Sequence, residues 1–301
     1  MTADLYHSID SFNGSRMLQS LLVGLIPGSG YALIAVGIVL SYRMIGVLNF
    51  AQAVIGVFGT YVGLSLAAAG LGQPYAAIGG IVAGVGMGIL AGIVMVTWFS
   101  EASLQTRSSV TIALMLVFLA IGFRLFGDTP RASPQLFPTA HFEIGGVYFS
   151  VTTIAGVLCA IGIGVAAYSI LKWTRIGILL RALSERPTTA ELLGVPVRLL
   201  ALGVWAAGGG VATLAITLIA PNRPSNFLVL SLLLLPALAA ALFGLFQSIL
   251  AAIIGGIVVG MLEAVATYFD ALAPFRQALP FLVILAVLLW SQRAEVWDAP
   301  K

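Results

Sequence analysis

The chain has 301 residues, 60% of them hydrophobic and only 8% charged, whereas soluble domains carry roughly 25% charged residues. That leaves too little polar surface to coat a water-soluble globule, so the chain reads as a membrane protein. The net charge of +3 forms no basic stripe with interleaved aromatics, which argues against a nucleic-acid partner.

The expected fold class is all-α: a polytopic transmembrane helical bundle of about 8–9 spans forming a single domain, 1–301. The apolar runs exceed the 9 to 11 residues of a barrel strand and reach the roughly 20 needed for a helix to cross. The opening MTADLYHSIDSFNGSR has two Asp and no basic n-region, unlike a cleaved secretory signal. The first span is expected to serve as its own insertion signal. Spans are expected at about 17–40, 47–68, 75–97, 109–126, 148–170, 199–219, 228–243, 247–269 and 275–292. The segment 228–243 is short and holds Pro236, which leaves two forms open, a short full crossing or a partial or broken helix. Such a break is tolerated at membrane depth only where it is enclosed by protein or lines a cavity.

Within the second span, Asn49 and Gln52 stand three residues apart on one helical face of an otherwise apolar run. Paired amides there either fasten this helix to its neighbours or line a substrate path. In the third span Gly80, Gly84, Gly88 and Gly92 recur every four positions, and Gly256 and Gly260 repeat that spacing later. Such stripes let helix backbones approach closely, inside a bundle or between protomers.

Two ionisable residues lie within spans. Arg124 is near enough to a span end to extend its charge to the headgroups. Glu263 is deeper and shorter, and an intramembrane acid is by default a functional candidate. Bonds to backbone groups across a helix break would satisfy it equally well, and Arg124 is the side-chain partner considered. Cys159 is the only cysteine, which excludes an intrachain disulfide and a CxxC metal site.

Lys172, Arg175, Arg181, Arg186 and Arg198 fall in one loop, about 171–198, between apolar runs. The positive-inside rule makes that loop cytoplasmic. Arg43 and Arg107 then fall in cytoplasmic turns, and the loop of about 127–147 lies outside. The N-terminus is outside and the C-terminus, with Arg293 and Lys301, inside. Within SERPTTAELLGV, Pro187 suits a first helical turn, Thr188 and Glu191 have capping-box spacing, and Gly194 suits a C-terminal cap. A short helix over about 187–193 is expected. It would present Ala190, Leu192 and Leu193 inside a charged rim, a surface suited to docking a protein.

Catalytic sets are missing from the sequence. The two histidines, His7 and His141, are far apart, and no HExxH pattern or GxxxxGK[ST] phosphate loop occurs. An enzyme is therefore disfavoured, and the chain cannot power transport by itself. A self-sufficient secondary transporter or channel is the alternative. Such carriers use broken helices related by internal repeats, and no persuasive repeat is visible here.

Three stretches resemble the permease subunits of branched-chain amino acid ABC importers, the LivH/LivM type with urea and amide relatives, and the LivH-like subunit above all. They are GSGYALIAVGIVLSYRMIGVLNFAQ (28–52), RALSERPTTAELLGV (181–195) and GLFQSILAAIIGGIVVGMLEA (244–264). Their order and the intervening spans match the family over nearly the whole chain. Ala53 departs from a glycine usual in the family, and Phe246 and Gln247 stand where glycine and small residues are commoner, which leaves the cargo open.

The resemblance implies a membrane-spanning importer subunit that moves a small amino-acid-like solute in the cell membrane without itself binding a cofactor. It implies ATP hydrolysis by two separate ATP-binding cassette subunits, a second permease chain, the same or related, and an extracytoplasmic substrate-binding protein. It assigns ATPase coupling to Arg181, Glu185, Thr188, Ala190, Glu191, Leu193 and Gly194. Asn49, Gln52 and Glu263 are the candidates for the substrate pathway.

Overall fold

The computed structural model describes residues 2–133, 141–144, 147–222, 226–269 and 271–292. The expected basic C-terminal end with Arg293 and Lys301 lies outside them. Helices α1 (Thr2–Ile45), α2 (Gln52–Ala68), α3 (Gln73–Trp98) and α4 (Leu104–Phe126) come first. A hairpin of β1 (His141–Ile144) and β2 (Val147–Ser150) follows, then α5 (Val151–Trp173), α6 (Arg175–Glu185), α7 (Pro187–Leu192) and α8 (Val197–Ile219). The chain closes with α9 (Phe227–Ser231), α10 (Leu234–Leu242), α11 (Ile249–Tyr268) and α12 (Leu279–Gln292). Among the described residues, seven helices have the length and apolarity to cross a membrane, while Gln52–Ala68 and Phe227–Leu242 are shorter apolar segments.

The expected bundle is present, with two local differences from the sequence reading, at the start of the fifth span and in the basic loop, and one open point decided. Residues 148–150 belong to β2, which pairs antiparallel with β1 in the register His141↔Ser150 to Ile144↔Val147, so the fifth helix starts at Val151. The polar–apolar alternation of HFEI in β1 covers four residues, the shortest run that marks a strand. The segment 228–243, for which a full crossing and a broken helix were both open, is broken into α9 and α10, with the chain turning at Leu232 and Leu233. The basic loop holds a second helix, α6, that was not anticipated. Its Thr174 Oγ1 caps the N-terminus by accepting from Gly177 N at 3.2 Å, and Gly177, Leu180 and Leu183 bury one face. That three-residue spacing was the available signal.

Glycine decides which helices meet. Gly80 of α3 abuts Gly59 and Gly63 of α2, with Gly59 O 2.8 Å from where a Gly80 Cβ would sit. Gly84, Gly88 and Gly92 run down α8 against Thr213, Gly209, Trp205 and Leu202. The stripe thus packs inside the bundle, the plainer of its two expected uses. On the other side, Gly24 and Gly28 of α1 meet Gly260, Met261, Gly256 and Ile257 of α11, with Gly260 O 2.7 Å from a Gly24 Cβ. These approaches run in opposite chain directions, so α1/α11 and α3/α8 are antiparallel pairs. Lipid tails give helices no hydrophobic reason to associate, and close van der Waals packing supplies much of the drive instead.

The core lies along α1, α2 and α8, where Tyr31, Ile34, Ile38, Ile55, Tyr61, Trp205 and Ile216 are fully enclosed. Outward faces of α4, α5 and α12 carry exposed Leu116, Leu158 and Leu285, as lipid-facing helices do.

Gly260→Leu is expected to drive a side chain into the α1 backbone and cost about 3 kcal/mol or more. Gly203→Leu, on a part of α8 with open space beside it, is expected to be nearly neutral. Thermal unfolding in detergent, followed by size-exclusion fluorescence, measures both.

Candidate functional site

The amide pair sits where the chain turns from α1 into α2. Asn49 Nδ2 donates to Gln52 Oε1 at 2.7 Å, and Gln52 Nε2 donates to the Gly208 carbonyl of α8 at 2.7 Å. Gln52 is completely enclosed and Asn49 nearly so. The Gln52 amide also lies flat against Gly37 of α1, where any Cβ would strike Nε2. One side chain therefore joins α1, α2 and α8, and Asn49 Oδ1 remains buried with no bond to another described group. Within the single chain the pair is fastened as well as polar.

The same α2/α8 seam carries hydroxyls that the sequence reading did not single out. Thr60 Oγ1 donates to Gly56 O at 2.9 Å and lies 3.1 Å from Thr217 Oγ1, while Thr213 Oγ1 donates to Gly209 O at 2.8 Å. Thr60 and Thr217 also line a small cleft with Gly63, Ala76 and Gly80. Threonine inside a helix commonly bonds the preceding turn, so sequence alone does not separate these from ordinary threonines.

Glu263 is half-buried on α11 and accepts a hydrogen bond from the Tyr31 hydroxyl of α1 at 2.7 Å. Arg124, considered as its partner, is exposed on α4 instead. Glu263 and the amide pair both touch α1, at Tyr31 and Gly37. Six helical residues separate those contacts by about 9 Å along the axis and about 240° around it. The three pathway candidates therefore occupy two places, not one pocket.

The loop between α5 and α8 folds into a platform. Arg181 and Glu185 stand exposed on α6, opposite its buried face. Helix α7 begins with Pro187 at its first position, as expected, but Arg186 is its N-cap and no side chain caps it. Thr188 falls inside the first turn, too far along to reach a capping position, so the capping box does not form. Its end is a glycine cap. Gly194 has φ +82°, Gly194 N donates to Glu191 O and Val195 N to Ala190 O, each at 3.0 Å.

Ala190, expected at the exposed tip, is only 3% exposed, whereas Leu192 is 88% and Leu193 79% exposed. Two residues turn a helix by about 200°, so Ala190 and Leu192 face opposite ways. Thr188 and Glu191 are exposed beside the two leucines.

Beside this platform, Arg107 closes the ends of two helices. Nε donates to Phe99 O at 3.2 Å, Nη1 to Ile45 O at 3.4 Å and Nη2 to Ser100 O. A cation at carbonyl ends offsets the negative pole of each helix. One turn later Thr111 Oγ1 bonds Leu48 O at 2.8 Å and accepts from Phe50 N at 3.3 Å. The bend that carries Asn49 is thereby held to α4.

A bundle of membrane-length helices with one broken span, polar seams and a platform of two short helices has the form of a polytopic membrane protein. The family model of the branched-chain amino acid transport system permease component matches residues 20–288, and the chain belongs to that family. It is 28% identical to the probable branched-chain amino acid transport permease protein LivH of Methanocaldococcus jannaschii, over 85% of each chain. It is 28% identical to the high-affinity branched-chain amino acid transport system permease protein LivH of Escherichia coli, over 90% of this chain and 92% of that one. Over 48% of its length it is also 28% identical to the nucleoside ABC transporter permease protein NupC of Lactococcus lactis subsp. cremoris. The protein is a multi-pass membrane permease.

Glu263→Gln keeps an acceptor for Tyr31 and is expected to shift stability by less than about 1 kcal/mol, while Glu263→Leu removes the acceptor and costs about 1–3 kcal/mol. Melting temperatures of the two variants at one pH check this ordering. Gln52→Leu strips the bonds to Asn49 and Gly208 together and is expected to lower the yield of folded protein more than either Glu263 change.

Proposed function

We propose that this permease is the membrane-spanning subunit of an ABC importer and that it carries a branched-chain amino acid. Two ATP-binding cassette subunits hydrolyse ATP, a second permease chain completes the pore, and a binding protein delivers the solute on the opposite face. The α6–α7 platform is the cytoplasmic face, the N-terminus lies outside and the C-terminus inside.

The observation that carries this reading is α7. A six-residue helix contributes little by itself to a bundle, yet it holds Leu192 and Leu193 out of the protein. Glu191 and Gly194 adjoin them in the chain, and Arg181 and Glu185 are exposed on the preceding helix α6. Exposed leucines rimmed by both charges suit a cleft in a partner protein, where apolar contact supplies affinity and the charges set orientation. An anionic lipid surface would favour the arginines but not the two glutamates.

The likeness to the LivH proteins supports the cargo, because they cover most of the chain. NupC supports a nucleoside as a second cargo, on about half of it. Import of radiolabelled leucine against uridine by the reconstituted complex decides between them.

Replacing Leu193 with Asp places a charge in the docking contact, and the ATPase subunits are expected to be lost from the purified complex while the permease still inserts. Retention of both ATPases at the parental ratio would remove the docking role. For sidedness, cysteine at Ser133 is expected to label from outside, and cysteine at Thr189 only after permeabilisation. The reverse pattern would invert the topology and the docking argument with it.

A further inference from the structure

Behind α7 lies a cavity of about 300 Å³. Its floor is apolar, built from the buried Met44, Val47, Met95, Ala201 and Trp205. Its rim carries two acids, Glu101 and Glu191, and two arginines, Arg107 and Arg198. These four come from three places: the α3–α4 connection with the first turn of α4, α7, and the first turn of α8. Among the described residues they form no ion pair with one another. An apolar chamber with a few converging polar groups is the ordinary form of a small-ligand site, and this volume is at the lower end of the usual range, about 300–1,000 Å³.

We propose that this cavity binds a small zwitterion with an apolar side chain, namely the transported amino acid after release, and that occupancy slows further import. The proposal rests on the cargo and sidedness given above. Its chemistry follows from the lining. An α-carboxylate needs a cationic fork, which Arg198 offers and to which Arg107 adds the donors not used on Ile45, Phe99 and Ser100. An ammonium needs an acid, which Glu101 or Glu191 supplies, and a branched aliphatic chain fits the methionine and tryptophan floor. A purely anionic ligand would meet the two acids, and a purely cationic one the two arginines.

Position gives the consequence. A ligand held between Glu191 of α7, Arg198 of α8 and the α3–α4 turn staples the docking helix to the bundle. The state it binds is the one with the cavity open, so it opposes any step that moves α7 into that space. A ligand shifts an equilibrium only through such differential binding.

The test is import by the complete complex in proteoliposomes whose lumen is loaded beforehand. Luminal leucine is expected to lower the initial rate of leucine import about fivefold, the small end of typical couplings between sites. Luminal isopentylamine, which keeps the chain and the ammonium but lacks the carboxylate, is expected to have no effect. Ala201→Phe fills the floor and should abolish the inhibition while import into an empty lumen persists. If that variant does not assemble, Glu101→Gln keeps the shape and should raise the luminal concentration needed for half-inhibition about tenfold.

Absence of inhibition in the parent, or equal inhibition in both variants, overturns the proposal. A cavity occupied by a lipid headgroup or closed by its own charges gives that first result. If the complex imports no leucine at all, the cargo reading fails separately. The site is then tested by equilibrium binding of radiolabelled leucine to the purified complex without its binding protein. Saturable binding lost in Ala201→Phe supports the site, and no saturable binding overturns it.

Discussion

Close contact between helix backbones at glycine is the constraint on which the other features depend. Gly24, Gly28, Gly256 and Gly260 bring α1 against α11, and Gly59, Gly80, Gly84 and Gly209 bring α2, α3 and α8 together. Helices with larger residues at those positions would stand farther apart. The short bonds that reach across the seams, Gln52 to Gly208 and Tyr31 to Glu263, would then fall outside hydrogen-bonding distance. The polar interactions are therefore consequences of the packing, and they fix which way each helix is rotated within it.

Helix α1 is the common member. It meets α11 through its glycines, α8 at Gly30 and Gly37, and α5 at Ser29. Its last carbonyl is bonded by Arg107. A displacement of its Arg107 end would reach the Asn49 bend directly, since Arg107 and Thr111 hold α1, α3 and that bend to one helix. The platform of α6 and α7 meets the bundle at the same end, so the proposed docking surface and the amide pair share a support without touching.

Much of this was legible in the sequence because lipid imposes strong rules. Length and apolarity gave the spans, the arginine cluster drew attention to the 171–198 loop, and Pro187 with Gly194 bracketed α7 to within a residue. Burial within the platform was harder to read. Ala190 was expected outside because small apolar residues suit a docking knob, but a helix this short has one inward position per turn, and Ala190 occupies it. Helix α6 was missed because its arginines dominated the reading and drew attention away from the spacing of Gly177, Leu180 and Leu183. The partner of Glu263 could not be found from the sequence, since Tyr31 lies 232 positions away and nothing local marks it. The Thr60, Thr213 and Thr217 seam was invisible for the same reason.

The turn between α10 and α11 has a consequence of another kind. Leu245 and Phe246 both adopt left-handed backbone angles, φ +48° and +59°, which cost a side-chain-bearing residue about 1–2 kcal/mol each and glycine almost nothing. The Phe246 ring lies 5.4 Å from that of Tyr42 on α1, a contact no glycine could make. A glycine at 246 would make this corner a loose joint, free to swivel as the neighbouring helices shift. With phenylalanine the corner is strained and its ring packs on Tyr42, so the turn joining α10 to α11 is also tied to the end of α1.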